Sequence, residues 1–259
     1  MLLVEPIEAF EDNYIWLLHR QGRDAAVVVD PGDEGPVLKA LKAKHLRLTA
    51  ILITHKHGDH TGGVKALVKR FPGIPVYGPT HEAASGVTHP LKDGEEITLP
   101  ELDCELWVMD VPGHTEGHIA FVGDGLVFCG DALFSSGCGR VFTGDFEAMA
   151  ASLHRLAQLP PETQVYCAHE YTMANLGFAA LVEPHSATLA ARRALCEQAR
   201  AAGHPTLPST IALELAANPF LRTNQPEVIA AAERWTGQPL NTPAAVFRAL
   251  RTWKDQDYD

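Results

Sequence analysis

The apolar positions of this chain change rhythm near residue 172. Before that point, short apolar runs alternate with amphipathic segments. Residues 25–30 form a β-branched run halted by Pro31-Gly32, a turn signal. Residues 49–54 (TAILIT) lack polar alternation, which predicts a strand buried on both faces. Residues 75–77, 105–111, 119–129 and 164–168 supply further predicted strands, the third of these with a turn at Gly123-Asp124-Gly125. Helices are predicted at 37–45, 62–71 and 145–159. The last has Asp145 at its start and Pro160-Pro161 beyond its end. After residue 172 the strand signals stop and alanine rises. Helices are predicted at 184–202, 209–217, 226–235 and 243–254, with prolines near their starts and Gly203 and Gly237 near two stops. No element is assigned to residues 1–24 or 172–183. The pattern predicts an α/β segment followed by a smaller helical one, divided near 170–175.

Composition narrows the function classes. A chain of 259 residues with 46% hydrophobic and 20% charged residues is an ordinary globular protein. Its net charge of −11 argues against a nucleic-acid binder and against adhesion to anionic membranes. No apolar run is long enough for a membrane span, and the N-terminus lacks a basic, apolar leader pattern. The five cysteines are odd in number and form no C-x-x-C pair, so a reducing cytoplasm is the expected location. The unusual entry is histidine: 13 residues, three of them between positions 55 and 60.

Residues 54–60 read Thr-His-Lys-His-Gly-Asp-His, directly after a predicted buried strand. Imidazole and carboxylate suit Zn²⁺, Fe²⁺ or Mn²⁺. His55 and His57, at i and i+2 on a tight loop, can grip one ion, while Asp59 and His60 face a second. His114, Asp131 and His169 each follow a later predicted strand. Separate strand ends thus deliver metal-type side chains to one sheet edge, where sites in layered α/β proteins sit.

In this order, H-x-H-x-D-H followed by His114, Asp131 and His169 resembles the metallo-β-lactamase superfamily. The resemblance implies an αββα sandwich, with His55, His57 and His114 on one metal and Asp59, His60 and His169 on the other. Asp131 would bridge them. Within the superfamily the chain is most similar to glyoxalase II, the hydroxyacylglutathione hydrolases. The similarity runs through Asp12-Asn13-Tyr14, GHTEGH at 113–118, CGDALFSSGCGR at 129–140, YCAHEYT at 166–172, NPFLR at 218–222, and Arg248 to Asp255. It implies a catalytic metal-binding domain over 1–171 and a helical substrate-binding domain over 172–259. Two divalent ions, zinc first and iron or manganese as alternatives, would activate a hydroxide against the thioester of S-2-hydroxyacylglutathione. The products would be glutathione and a 2-hydroxy acid such as D-lactate, the second step of methylglyoxal detoxification. Asp59 would orient the hydroxide and Asp131 would fix the metal separation. Arg140, Phe142, Tyr171, Arg251 and Lys254 map onto the glutathione-binding positions. Arg140 stands where lysine is common, and Phe142 where tyrosine is common, which removes a hydroxyl. The expected protein is a monomer acting on a small molecule.

Arg251 and Lys254 are spaced i, i+3 and share a helix face. An opposite stripe of Val246, Phe247, Leu250 and Trp253 would pack that helix and turn both cations outward. His118 is weighed between a supporting role at the site and a plain structural one, and Asp30 is expected to support the loop. Rival readings are a mononuclear iron persulfide dioxygenase, a nuclease of the same superfamily, and a metal-binding or scaffold protein without catalysis.

Overall fold

The computed structural model describes residues 1–258, so Asp259, the last residue of the expected helical domain, lies outside the described residues. Two sheets stack face to face. The first has the order β1 (Leu2–Ala9), β2 (Asn13–Arg20), β3 (Ala25–Val29), β4 (Arg47–Leu52), β5 (Val76–Pro79) and β6 (His89–Leu91). The second contains β7 (Glu96–Leu99), β8 (Cys104–Asp110), β9 (Ile119–Gly123) and β10 (Leu126–Gly130), continued by β13 (Gln164–Cys167) and closed by β14 (Ser209–Thr210). A hairpin of β11 (Leu133–Phe134) and β12 (Gly137–Cys138) stands apart from both.

The nine helices are α1 (Glu34–Lys44), α2 (Gly58–Thr61), α3 (Val64–Arg70), α4 (Phe146–Ala157), α5 (Thr172–Val182), α6 (Ala187–Ala201), α7 (Ile211–Ala217), α8 (Pro226–Thr236) and α9 (Pro243–Asp257), counted among the described residues. Capping chemistry starts several of them. Asp33, Asp145, Ser186, Thr210 and Thr242 each accept a backbone N–H of the first turn.

The uninterrupted apolar run of β3 has a simple cause: both its faces are buried. Ala26 and Val28 face Val37 and Leu41 of α1 and Leu67 of α3. Ala25, Val27 and Val29 face the core between the sheets. That second core crosses the expected domain division. It runs from Trp16 and Phe121 through Phe128 to Val228, Phe247 and Leu250 on α8 and α9. The layers are therefore helix, sheet, sheet, helix, with α4, α8 and α9 on the outer side of the second sheet.

Several expectations are revised. The N-terminal segment is a long antiparallel hairpin, β1–β2. The helix expected over 62–71 starts only at Val64, and the short α2 lies inside the histidine motif. Residues 172–182 are helical, and Ser209–Thr210 pairs with β13 before α7 begins. Helix α5 carries no clean amphipathic stripe because its less buried side, with Ala174 and Leu181, is as apolar as the side that buries Leu176, Phe178 and Ala179.

Candidate metal centre and substrate cavity

The histidine loop leaves the end of β4, and its neighbours come from the ends of β8, β10 and β13. The hairpin turn before β2 reaches the same edge, where Tyr14 N–H donates to Ala168 O at 2.7 Å. All seven candidate metal residues meet there. His57 Nδ1 lies 3.1 Å from both His55 Nε2 and His114 Nε2. Asp59 Oδ2 lies 3.3 Å from His60 Nε2 and 3.5 Å from His169 Nε2. Asp131 stands between the groups. Its Oδ1 is 3.5 Å from His60 Nε2 and 3.4 Å from His169 Nε2, while its Oδ2 is 3.4 Å from His114 Nε2. Ligand atoms about 2.0–2.1 Å from a tetrahedral ion lie about 3.4 Å from one another, so both groups have the right spacing.

Proton bookkeeping gives an independent test of fit. Thr54 Oγ1 donates to Asp30 Oδ2 at 2.6 Å, so its lone pair is left to accept His55 Nδ1–H at 3.1 Å. His114 Nδ1 donates to Arg140 O at 2.9 Å. The two Nε2 lone pairs therefore both point at His57 Nδ1, which can carry only one proton. A cation resolves the conflict. In the second group, His60 Nδ1 faces Asp30 Oδ2 at 3.1 Å and His169 Nδ1 faces Asp12 Oδ1 at 2.8 Å. Their Nε2 atoms then turn to carboxylate oxygens, and buried His60 Nε2 and Asp131 Oδ1 have no hydrogen-bond partner among the described residues. The residues fit divalent cations on both sides of Asp131.

Charge tuning follows the same contacts. Burial alone would raise Asp131, but His60 and His169 outweigh it and hold the carboxyl well below its ordinary range. The close approach of His60, aided by the hydrogen bond from Asn13, keeps Asp59 ionised. Burial lowers His118 to about 3. Neutral His118 accepts the Asp131 N–H at 3.1 Å and stacks on His55 at 4.6 Å between ring centroids. It supports the centre without facing it. Asp30 does more than support a loop: it grips Thr54 twice and orients His60. Asp12 and Asn13 were legible only as a quoted motif; their contacts with His169 and Asp59 need the fold.

Five of the seven candidate metal residues, His57, Asp59, His114, Asp131 and His169, line a cavity of about 650 Å³. Its walls include Arg140, Phe142, Tyr171, Arg251 and Lys254, so all five expected substrate-binding residues reach it. Tyr171 stacks on His169 at 4.7 Å, and Phe142 sits at the rim, 64% exposed, 5.3 Å from the His114 ring. The expected outward display of Arg251 and Lys254 is corrected: they are 1% and 6% exposed. α9 packs on α4, α8 and residues 219–221, and its cationic face looks inward, with Arg251 reaching the β11–β12 hairpin. Arg251 donates to Cys138 O at 3.0 Å and to Asp255 Oδ1 at 2.9 Å. Asp255 also accepts from Arg140 Nε at 3.1 Å, a bridge between helix and loop that sequence reasoning missed. Its i, i+4 spacing from Arg251 was the available signal.

Comparison with known proteins decides the family. Residues 10–169 match the metallo-beta-lactamase superfamily, and residues 170–257 match the hydroxyacylglutathione hydrolase C-terminus. The chain is 56% identical over 256 residues to the hydroxyacylglutathione hydrolase of Alkalilimnicola ehrlichii, covering 99% of this chain and 100% of that one. The chain belongs to the hydroxyacylglutathione hydrolases. Another family member, from Nitrosomonas europaea, is 51% identical over 98% of this chain and 96% of its own length. Among solved structures, TTHA1623 in a di-iron-bound form is 28% identical with a TM-score of 0.60, covering 84% of this chain and 100% of that chain. ETHE1 from Myxococcus xanthus is 24% identical with a TM-score of 0.65, over 96% of both chains, and shares the fold. The expected metallo-β-lactamase fold with a helical C-terminal region stands.

Proposed function

We propose that this chain hydrolyses S-2-hydroxyacylglutathione thioesters, such as S-D-lactoylglutathione, to glutathione and a 2-hydroxy acid. One observation carries the reading: the two His/Asp groups open into the same cavity as buried Arg251 and Lys254. His55, His57 and His114 would hold one divalent ion, and Asp59, His60 and His169 a second, with Asp131 shared. Zinc suits the ligand set, and iron or manganese would also be accepted; the di-iron form of TTHA1623 supports a pair. Bound ions would supply Lewis acidity, lowering the pKa of water and polarising the thioester carbonyl.

The chain's own groups do the rest. Asp59, held ionised, accepts a hydrogen bond from the attacking water and aims it. Asp131 spans the two groups with one oxygen each. Arg140, Arg251 and Lys254 draw in the anionic glutathione portion, Tyr171 lines its path and Phe142 borders the rim. The leaving thiolate, of ordinary pKa about 8.5, departs without a strong general acid. Residues 1–171 would form the catalytic unit and 172–259 the substrate-binding unit. Five unpaired, buried cysteines suit the cytoplasm, and the reading takes the active species as a monomer.

The test is turnover of S-D-lactoylglutathione by protein of measured metal content, with oxygen uptake followed in parallel. Asp131→Ala is expected to lower kcat about a hundredfold or more. Lys254→Ala is expected to raise KM about 10- to 100-fold, since a lost hydrogen bond to a charged group costs about 1.5–3 kcal/mol. Absence of turnover with two ions bound would sink the reading. An unchanged KM would remove only Lys254 from it.

A further inference from the structure

We propose that Glu82 is a positioning residue that clamps the two loops carrying His55, His57 and His114. The inference rests on the metal-centre reading above. Glu82 follows β5 and belongs to neither histidine motif, yet its side chain is only 3% exposed. Each carboxylate oxygen takes one backbone donor. Oε1 accepts the N–H of Lys56 at 2.7 Å, and Oε2 accepts the N–H of Gly117 at 3.1 Å. Lys56 lies between His55 and His57. Gly117 lies three residues past His114 and next to His118, which holds Asp131.

A second observation points the same way. A Cβ at Gly117 would stand 2.7 Å from Glu82 N and 2.7 Å from His81 C. The loop can approach the Glu82 segment this closely only with glycine there. Backbone donors on an ionised carboxylate make strong, directional bonds. Both loops are thereby set by one side chain, at the spacing that brings three ring nitrogens together. The other group has separate supports: Asp30 on His60, Asp12 on His169 and Asn13 on Asp59. Loss of Glu82 should therefore loosen one ion and spare the other.

The test is a titration of zinc-loaded protein with a competing chelator, reading the release of each ion, in the native chain and in Glu82→Gln, Gly117→Ala and Lys56→Ala. Glu82→Gln is isosteric but presents an amide N–H₂ to one of the two donors. One of the two ions is expected to leave it about 10- to 100-fold more readily, with the second ion, the melting temperature and the KM for the thioester nearly unchanged. Gly117→Ala should loosen the same ion. Lys56→Ala removes an ammonium 3.9 Å from Glu82 but no backbone donor, and should behave as native. Equal loosening of both ions, or a native-like release profile in Glu82→Gln, overturns the inference while leaving the hydrolase reading intact. A native chain that holds no ion overturns both.

Discussion

A buried carboxylate behind the β11–β12 hairpin shows how much a single residue can be asked to hold. Glu214 is 1% exposed and accepts hydrogen bonds from Ser136 N, Ser209 Oγ and Asn218 Nδ2. Through Ser136, whose φ is +57°, it fixes the turn of the β11–β12 hairpin. Burial raises its pKa, and the three donors only partly offset that. The folded chain therefore binds more protons than the unfolded chain above the unfolded value of about 4.3. Stability contributed by Glu214 falls as pH rises through the window between the unfolded and folded pKa values. Glu214→Gln stays neutral and lacks this term. Melting curves of the two proteins without added metal, taken from about pH 4 to 7, should differ by an amount that shifts against the native chain as pH rises. Parallel curves would mean that Glu214 is not raised.

At the scale of elements, the cavity depends on how closely α5 and α9 approach. Gly177 on α5 faces the Tyr258 hydroxyl, and a Cβ there would overlap it. The Tyr258 ring in turn lies 5.8 Å from Lys254 Nζ. Gly177→Ala is expected to cost about 1–3 kcal/mol by overpacking. It should also raise KM several-fold with kcat nearly native, which steady-state kinetics would check. None of this was legible in the linear pattern. Strands β3, β4, β5, β8, β9, β10 and β13 and most helices were, because β3 and β10 are apolar without interruption and α4 and α9 begin at clear caps. Helix α5 was hidden because its exposed side is apolar too, with Ala174 and Leu181 facing away from the core. The β1–β2 hairpin was hidden because Glu5, Pro6 and Glu8 break the apolar pattern of β1. The candidate metal residues, which the fold brings together, were legible because residue type and short spacing mark them. The partners of Asp12, Asp30, Glu82 and Asp255 were not, since carboxylates are common and only the fold says which one meets a ring or a loop. The inward turn of Arg251 and Lys254 escaped for a related reason. Spacing gives the face they share but not what lies opposite it.

At the scale of the molecule, a chain of net charge −11 presents a cavity walled by Arg140, Arg251 and Lys254. An anionic substrate must cross an acidic exterior to reach these three cations. Added salt shortens the range of both fields, with a Debye length near about 10 Å at 0.1 M. With native protein kcat/KM should fall as salt rises, and the slope should flatten in Lys254→Ala. Equal slopes would place the steering outside the cavity. The order of the chain gives the same cavity a biosynthetic consequence. The last candidate ligand, His169, leaves the ribosome well before Ser209–Thr210 covers the edge of β13, and before α8 and α9 bring Val228, Phe247 and Leu250 to the core. A message that ends early, after His169, yields a chain with every candidate ligand, an open strand edge and no selective cradle. For quality control in the cell, that fragment is an aggregation hazard.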